Sequence, residues 1–192
     1  MRIIESAGYR QMKWKNGAGT TSEIAISPPG ASTDDFDWRI SMAQVGADGW
    51  FSEFPGVERT LAVLQGAGID LSIASAAPVR VSPASAPHGF AADAPAFAKL
   101  LDGPILDLNI MTRRSRFTHH MARLDADAPV RWQLGAGITV VLSHNCALRL
   151  DDGVIHSHLA AGDAAFFENQ SQPLIITPEA QAVIYVMELN KA

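Results

Sequence analysis

The sequence predicts an all-β protein with two antiparallel barrel or jelly-roll lobes in one compact chain. Three observations predict this fold class. Fifteen glycines and eleven prolines interrupt the 192 residues at short intervals, the segments between them have strand character, and a weak internal repeat divides the chain. Many short strands joined by turns are typical of antiparallel sandwiches and barrels. The segments with the clearest strand character are 38–45, 60–65, 69–73, 105–111, 138–143, 147–151, 173–177 and 182–189.

The internal repeat has the same order in both copies: strand, tight turn, strand, acidic turn, strand. The first copy reads TLAVLQGAGIDLSI, FAADAPAF and ILDLNIM, and the second reads ITVVLSHNCALRLDDG, LAAGDAAFF and a last pair of strands ending VIYVMEL. Chance matches between Ala- and Gly-rich segments are the alternative. Segment 79–92 is interpreted as a long Pro/Ser/Ala loop. We expect a first lobe over residues 1–114, including the N-terminal KNGAG segment, and a second lobe over residues 115–192.

Composition and charge restrict the function classes. The chain is 47% hydrophobic and 18% charged, which is enough to form a sizeable core. The net charge of −5 argues against nucleic acid as a partner. The single cysteine, Cys146, allows no intrachain disulfide, which fits a reducing compartment. Because the sequence has neither a secretory h-region nor an apolar run of about 18 residues, we expect a cytoplasmic protein without membrane contact. A homodimer is left open.

Polar residues alternate with apolar ones along three of the expected strands. Arg39 and Ser41 share one strand face, Arg59 lies on the same face as two apolar residues, and Asn109 shares its face with Asp107. One face of each strand of a small barrel points inward, so these side chains could line one polar pocket. Two arginines in a dry cavity would suit a carboxylate or a phosphate, because guanidinium groups form bidentate, charge-assisted bonds. The alternative is an outer sheet face in contact with water.

Two further segments could contribute to a pocket. Segment 12–23, MKWKNGAGTTSE, combines Lys15, Asn16 and Thr20 with glycines that allow a close backbone approach to a ligand. Its spacing matches neither a Walker A motif nor a dinucleotide fingerprint, and a plain turn is the alternative. The aromatic residues of GWFSEFPGVERT, residues 49–60, could form a wall at a barrel mouth or could plug the barrel end.

The histidines do not make a complete metal site. His156 and His158 share one strand face, but a protein metal site needs about three ligands and Glu168 is ten residues farther along. We therefore expect no metal and no cofactor. No G-x-S-x-G elbow is present, and no other nucleophile motif is recognisable, so no catalytic residue is assigned.

Four segments, WKNGAGTT (14–21), FDWRIS (36–41), FSEFPGVERTL (51–61) and LLDGPILDLNIMTRR (100–114), resemble the signature segments of the HutD/Ves family in sequence, order and spacing. Ala18 is a departure, because the family usually has glycine there. The resemblance implies a bicupin fold and a gene among those of histidine utilisation. It also implies binding of an acidic intermediate such as N-formylglutamate, in a regulatory rather than catalytic role. The polar positions that match the family are Lys15, Asn16, Thr20, Arg39, Ser41, Arg59 and Asn109.

Three functions compete at this point. The first is a metal-independent protein that binds a small acidic metabolite and regulates histidine utilisation. The second is a metal-free cupin enzyme, an isomerase or a hydrolase, that acts on a similar metabolite by general acid–base chemistry. The third is a stress-related protein that binds partners through its surface. The lack of a metal triad and of a nucleophile motif favours the first.

Overall fold

A computed structural model of the chain describes residues 1–14, 17 and 19–192. In this part of the chain the regular elements are β-strands, apart from one 3-10 turn at Ser6–Gly8. The predicted all-β class is therefore confirmed. The chain divides into two compact units. We call residues 9–118 with Ala192 the N-terminal unit, and residues 1–8 with 119–191 the C-terminal unit. None of the described residues belongs to a helix long and apolar enough to cross a membrane.

The N-terminal unit consists of two antiparallel sheets. The six-stranded sheet has the order β2-β3-β4-β11-β6-β9, and the four-stranded sheet has the order β5-β10-β7-β8. The strands are β2 (Arg10–Lys13), β3 (Gly19–Ser27), β4 (Trp38–Val45), β5 (Gly49–Trp50), β6 (Val57–Gln65), β7 (Ile69–Ile73), β8 (Val79–Val81), β9 (His88–Ala91), β10 (Ala96–Leu100) and β11 (Ile105–Arg113).

The C-terminal unit also has two sheets, ordered β1-β17-β14-β19-β12 and β13-β18-β15-β16. Its strands are β1 (Arg2–Ile4), β12 (Phe117–Ala126), β13 (Val130–Gln133), β14 (Ile138–Ser143), β15 (Leu148–Asp151), β16 (His156–Leu159), β17 (Ala164–Glu168), β18 (Pro173–Pro178) and β19 (Ala182–Lys191). The first two residues of β12 belong to the N-terminal unit.

Strand order shows that the two units repeat one topology. The order β9-β6-β11-β4 corresponds to β17-β14-β19-β12, and β5-β10-β7-β8 corresponds to β13-β18-β15-β16. Each unit is thus a two-sheet sandwich, as expected of the bicupin fold that the resemblance implies.

The long loop expected over residues 79–92 is wrong, because β8 and β9 form there. These strands are short, and they are joined by a turn in which Ser85 N donates to Ser82 O at 2.9 Å. The topology also corrects one part of the internal repeat. The segment LAAGDAAFF covers the end of β16 and most of β17, and these strands correspond to β8 and β9 of the N-terminal unit. The segment FAADAPAF instead joins β9 to β10, so the sequence match between the two segments was offset by one strand.

The lobe boundaries differ from residues 1–114 and 115–192 at both ends of the first lobe. Residues 1–8 join the C-terminal unit because β1 pairs with β17, with Arg2 opposite Phe166. Ser6 N also donates to Asp163 Oδ1 at 2.8 Å. The second change of unit falls between Thr118 and His119. A three-residue strand that pairs about 160 residues away has no periodic signal of its own.

The inner face of the six-stranded sheet has an apolar part and a polar part. Leu61, Val63 and Ile105 from this sheet pack with Ile69 and Leu71 of the four-stranded sheet. Gly66 and Gly68 form the tight turn between β6 and β7 at φ values of 93° and 112°, and a Cβ at residue 68 would lie 2.5 Å from Val81 O. Core and turn together fix β6, and thereby place Arg59 on the inner face.

Candidate functional site

A cavity of about 500 Å³ lies against the inner face of the six-stranded sheet. This volume is within the range of about 300–1,000 Å³ that is typical of small-molecule sites. All of its lining residues belong to the N-terminal unit. They are Met12, Lys13, Trp14, Thr21, Thr33, Arg39, Ser41, Ala43, Trp50, Phe51, Ser52, Phe54, Arg59, Asp107 and Asn109.

Strand register explains why polar side chains converge on this cavity. Met111 of β11 pairs with Arg39 of β4 on one side and with Arg59 of β6 on the other. Two residues along β11, Asn109 lies opposite Ser41. Because residues two apart on a strand point to the same face, the four polar side chains share one face of the three central strands with the apolar Met111 and Leu61.

Arg39 is neutralised by a carboxylate that sequence reasoning did not single out. Its Nε donates to Glu23 Oε2 at 2.7 Å, and both side chains are buried. The other oxygen of Glu23 lies 3.7 Å from Nη1 of the exposed Arg10. Glu23 of β3 therefore supplies the counter-charge of Arg39, while the charge of Asp107 acts on Arg59. Arg39 lines the cavity, and its Nε is satisfied within the protein by Glu23.

Arg59 is in a different electrostatic state. The residue is 8% exposed, and its Nε and Nη1 have no hydrogen-bond partner among the described residues. Burial lowers the pKa of Arg59 to about 10, an effect opposed by the charge of Asp107 and reinforced by that of Arg39. The group is still a cation at neutral pH. A buried cation with unused donors is costly unless an anion contacts it.

Asp107 and Asn109 present acceptors beside this cation. Asn109 Nδ2 donates to Asp107 Oδ1 at 2.7 Å, and the Ala43 amide donates to the same oxygen at 3.2 Å. Asp107 Oδ2 and Asn109 Oδ1 have no partner within the described part of the chain. Burial raises the pKa of Asp107 to about 6, although Arg59, Asn109 and the Ala43 amide act in the opposite direction. Among the described residues, the cavity therefore has both donors and acceptors without a hydrogen-bond partner.

Aromatic residues form the remaining wall of the cavity. The guanidinium carbon of Arg59 is 4.8 Å from the ring centroid of Phe51. Trp14 Nε1 donates to Thr21 Oγ1 at 2.8 Å, which fixes the indole. Trp50 is 72% exposed and packs edge-on against Phe97. The segment of residues 49–60 thus supplies a wall of the cavity, one of the two arrangements considered from the sequence.

Four of the seven polar positions inferred from the sequence line the cavity: Arg39, Ser41, Arg59 and Asn109. Thr20 does not, because it points to the opposite face of β3 from Thr21 and lines a separate depression that includes Gln44. Lys15 and Asn16 lie outside the described residues. Sequence reasoning missed Glu23 and Thr21. Their spacing of two along β3 was a usable signal.

The C-terminal unit is apolar at the position of the repeat that corresponds to Asp107. In the N-terminal unit Val63 pairs with Asp107, and the corresponding pair in the C-terminal unit is Val141 with Val186. Val141 and Val186 both belong to an apolar core. His156 and His158 are exposed, and lie 3.3 Å from Asp151 and 3.5 Å from Glu179, respectively. Within the described part of the chain, no group of three or more His, Cys, Asp or Glu side chains is placed to hold a metal.

Comparison with known proteins gives a consistent result. The model of the HutD family matches residues 6–184. Protein Ves of Citrobacter koseri is 44% identical over 104 residues, 54% of this chain and 53% of that protein, so the chain spans about half the length of this curated relative. A conserved protein of unknown function from Pseudomonas aeruginosa PAO1 has a TM-score of 0.92 at 30% identity, with 98% of each chain covered. HutD from Pseudomonas fluorescens SBW25 has a TM-score of 0.84 at 27% identity, covering 100% of this chain and 98% of that one.

Proposed function

This chain belongs to the HutD family, as its signature segments predicted, and we propose that it binds a small acidic intermediate of histidine utilisation in the cavity of its N-terminal unit, without a metal. The family supports a role related to histidine utilisation. The choice of ligand and the regulatory role are our proposal. The observation that carries it is the buried guanidinium of Arg59, whose Nε and Nη1 lack a partner among the described residues.

A ligand carboxylate satisfies this arginine directly. Nε and Nη1 would each donate to the carboxylate, which gives the short, charge-assisted bonds that arginine forms well. The ring of Phe51 covers the guanidinium from one face, so these donors remain available at its edge. Arg39 is not a second equivalent anchor, because its Nε is already bonded to Glu23.

N-formylglutamate fits the rest of the lining. Its formamide N–H matches Asn109 Oδ1, a buried acceptor without a partner in the described residues. Its second carboxylate matches Lys13, which lines the cavity and is exposed to solvent. Its methylene groups would lie against the aromatic wall formed by Trp14, Trp50 and Phe51. Arg59, the amide oxygen of Asn109 and the exposed Lys13 thus give three separate points of recognition.

The test is calorimetric titration with N-formyl-L-glutamate at about neutral pH. Arg59→Ala should weaken binding at least about tenfold, because one charge-assisted bidentate contact contributes roughly 1.5–3 kcal/mol. Arg59→Lys should recover only part of the loss, since lysine cannot form the two parallel bonds. Arg80→Ala is the matched control: Arg80 is an exposed arginine of the same unit, paired with Asp70. Unchanged affinity in a folded Arg59→Ala protein would reject the proposal.

The ligand itself can be identified by a thermal-shift screen of the intermediates of histidine degradation. A molecule that binds only the folded state raises the melting temperature by mass action. The expected result is a shift with N-formylglutamate that Arg59→Ala abolishes and Arg80→Ala retains. A shift with another intermediate but not with N-formylglutamate would correct the ligand while retaining the site.

A metal-free enzyme is the second candidate function, and Asp107 is the observation that favours it. A carboxyl group in the cavity whose pKa is raised by burial to about 6 can exchange a proton near neutral pH. Incubation of the protein with N-formyl-L-glutamate, followed by NMR, separates the candidates. The enzyme predicts formate, glutamate or an isomer at a rate that Asp107→Asn abolishes. The binding protein predicts unchanged ligand.

A further inference from the structure

The buried charges around the cavity already balance before a ligand carboxylate is added. Arg39 is paired with Glu23, and Arg59 lies in the field of Asp107. All four side chains are buried. A ligand carboxylate would therefore bring an excess negative charge next to Asp107. Uncompensated charge in a low-dielectric interior is strongly unfavourable, so the site needs a further positive charge at the moment of binding.

We propose that Asp107 supplies this charge by taking up one proton when a carboxylate binds, and that its protonated Oδ2 then donates a hydrogen bond to the ligand. The proton comes from solvent, and no covalent bond other than O–H forms. This inference rests on the proposed function, because it concerns the same cavity. It makes Asp107 the residue that sets which pH range favours binding.

The hydrogen bonds of Asp107 determine which oxygen carries the proton. Oδ1 accepts from Asn109 Nδ2 and from the Ala43 amide, so both donors hold this oxygen as an acceptor. Oδ2 has no partner among the described residues and is the oxygen free to be protonated. Burial already raises the pKa of Asp107 to about 6 without any ligand. A neighbouring carboxylate raises it further by like-charge repulsion.

The strands of the six-stranded sheet from β2 to β6 carry charged side chains whose effect on Asp107 has to be considered. They are Arg59 on β6, Arg39 on β4, Glu23 on β3, and Arg10 and Lys13 on β2. Arg10 and Lys13 are exposed, so solvent and salt screen their effect on a buried carboxylate. His88 on β9 lies opposite Leu61 and stacks on Phe90. Histidine is the residue type whose charge most readily changes near neutral pH, so His88 requires its own control variant.

Linkage fixes the sign of the pH effect. The ligand-bound protein holds its proton to a higher pH than the ligand-free protein, so binding takes up protons between the two pKa values of Asp107. Affinity is highest below about pH 6, the pKa of Asp107 without ligand. Above this pH it decreases by up to about tenfold per pH unit, until the pH exceeds the pKa of Asp107 in the ligand-bound protein. The ligand carboxylates stay ionised over this range, because their ordinary pKa values are about 4.

The test is titration of the full chain with N-formyl-L-glutamate near pH 7.5 in buffers of different ionisation enthalpy. The dependence of the observed enthalpy on the buffer gives the number of protons taken up, which should approach one per ligand in the wild type. Asp107→Asn should remove the uptake and make affinity independent of pH. At about pH 8 it should bind at least as tightly as the wild type, because its amide donates without a charge. His88→Gln should leave the uptake unchanged.

The possible failures are distinguishable. Arg59-dependent binding without proton uptake would overturn the role of Asp107 and leave the proposed function intact. Uptake that disappears in His88→Gln but persists in Asp107→Asn would also overturn it, as would clearly weaker binding by Asp107→Asn at about pH 8. That last result would mean that the ionised carboxylate accepts a bond from the ligand. Absence of binding to the wild type at any pH would reject both proposals. Binding without proton uptake in the wild type overturns the role of Asp107 even if Asp107→Asn does not fold.

Discussion

The guanidinium group of Arg59 lies over the ring of Phe51, 4.8 Å from its centroid, while its Nε and Nη1 have no partner among the described residues. Phe51 thus stabilises the cation from its face and leaves the edge donors to a ligand. Without the ring, the charge would be less well compensated and the guanidinium less well held. Phe51 is therefore a positioning residue for the binding group.

Phe51→Leu should weaken binding of N-formyl-L-glutamate about fivefold, since a desolvated cation–π contact contributes on the order of 1 kcal/mol. Calorimetric titration measures the change. Phe166→Leu is the matched control, because Phe166 packs under Arg2 at 4.6 Å in the C-terminal unit and lies outside the cavity. Equal losses of affinity in both variants would show a general loss of stability in place of a specific role for Phe51.

The buried pair of Glu23 and Arg39 provides a second prediction. Glu23→Gln should lower the free energy of unfolding by roughly 3–5 kcal/mol, because it leaves a buried guanidinium without its counter-charge. The exposed pair of Asp70 and Arg80 is the matched control, and Asp70→Asn should cost no more than about 1 kcal/mol. Urea denaturation of both variants gives the comparison. A smaller effect at Glu23 than at Asp70 would contradict the structural role assigned to the buried pair.

Strand alternation allowed much of the candidate site to be predicted. A period of two places Arg39 with Ser41, and Asp107 with Asn109, whatever the rest of the fold is. The same alternation indicated Arg59 and Asn109, and the family resemblance matched these four positions together with Lys15, Asn16 and Thr20. Both predictions are local, because they depend on spacing within single short segments and so do not require the strands to be assembled.

The partners of these residues could not be predicted in the same way. Glu23 reaches Arg39 because β3 pairs with β4 and has a register shift between Glu23 and Ala25. Such a bulge re-aims side chains and leaves no clear pattern in the sequence. Thr20 shows the same limit, because a difference of one residue puts it on the face opposite Thr21. Pairing and register, which are properties of the assembled sheet, decide these positions.

Elemental analysis provides a third prediction. The purified protein should contain no stoichiometric zinc, iron, manganese or nickel, because His156 and His158 lack a third ligand among the described residues. Their nearest carboxylates, Asp151 and Glu179, lie at separate ends of the histidine pair at 3.3 and 3.5 Å. About one metal ion per chain that is lost in His158→Ala would contradict this prediction. Arg149→Ala, at a neighbouring exposed position, is the control.

The last prediction concerns the stability of the ligand-free protein as a function of pH. Burial raises the pKa of Asp107 from 3.8 to about 6, so the folded state binds this proton more tightly than the unfolded state does. Stability therefore decreases as the pH rises from about 4 to about 6, and the penalty is fully present above that range. The difference between the two pKa values corresponds to a loss of about 3 kcal/mol in the free energy of unfolding.

Asp107→Asn removes this penalty, because its amide is close in shape to the protonated carboxyl and its Oδ1 can still accept from Asn109 and Ala43. The variant should therefore be more stable than the wild type at about pH 8, by up to about 3 kcal/mol, and similar to it at about pH 4.

Asp152→Asn is a control for which the opposite change in stability is expected. Burial raises the pKa of Asp152, but hydrogen bonds from the Ile155 and Val154 amides outweigh it and lower the pKa. The Asp152 carboxylate thus stabilises the fold above its unfolded pKa, so Asp152→Asn should be less stable than the wild type at about pH 8. Thermal denaturation of the three proteins at both pH values measures the differences, and an Asp107→Asn protein that is less stable than the wild type at about pH 8 would contradict an unfavourable buried charge at this position.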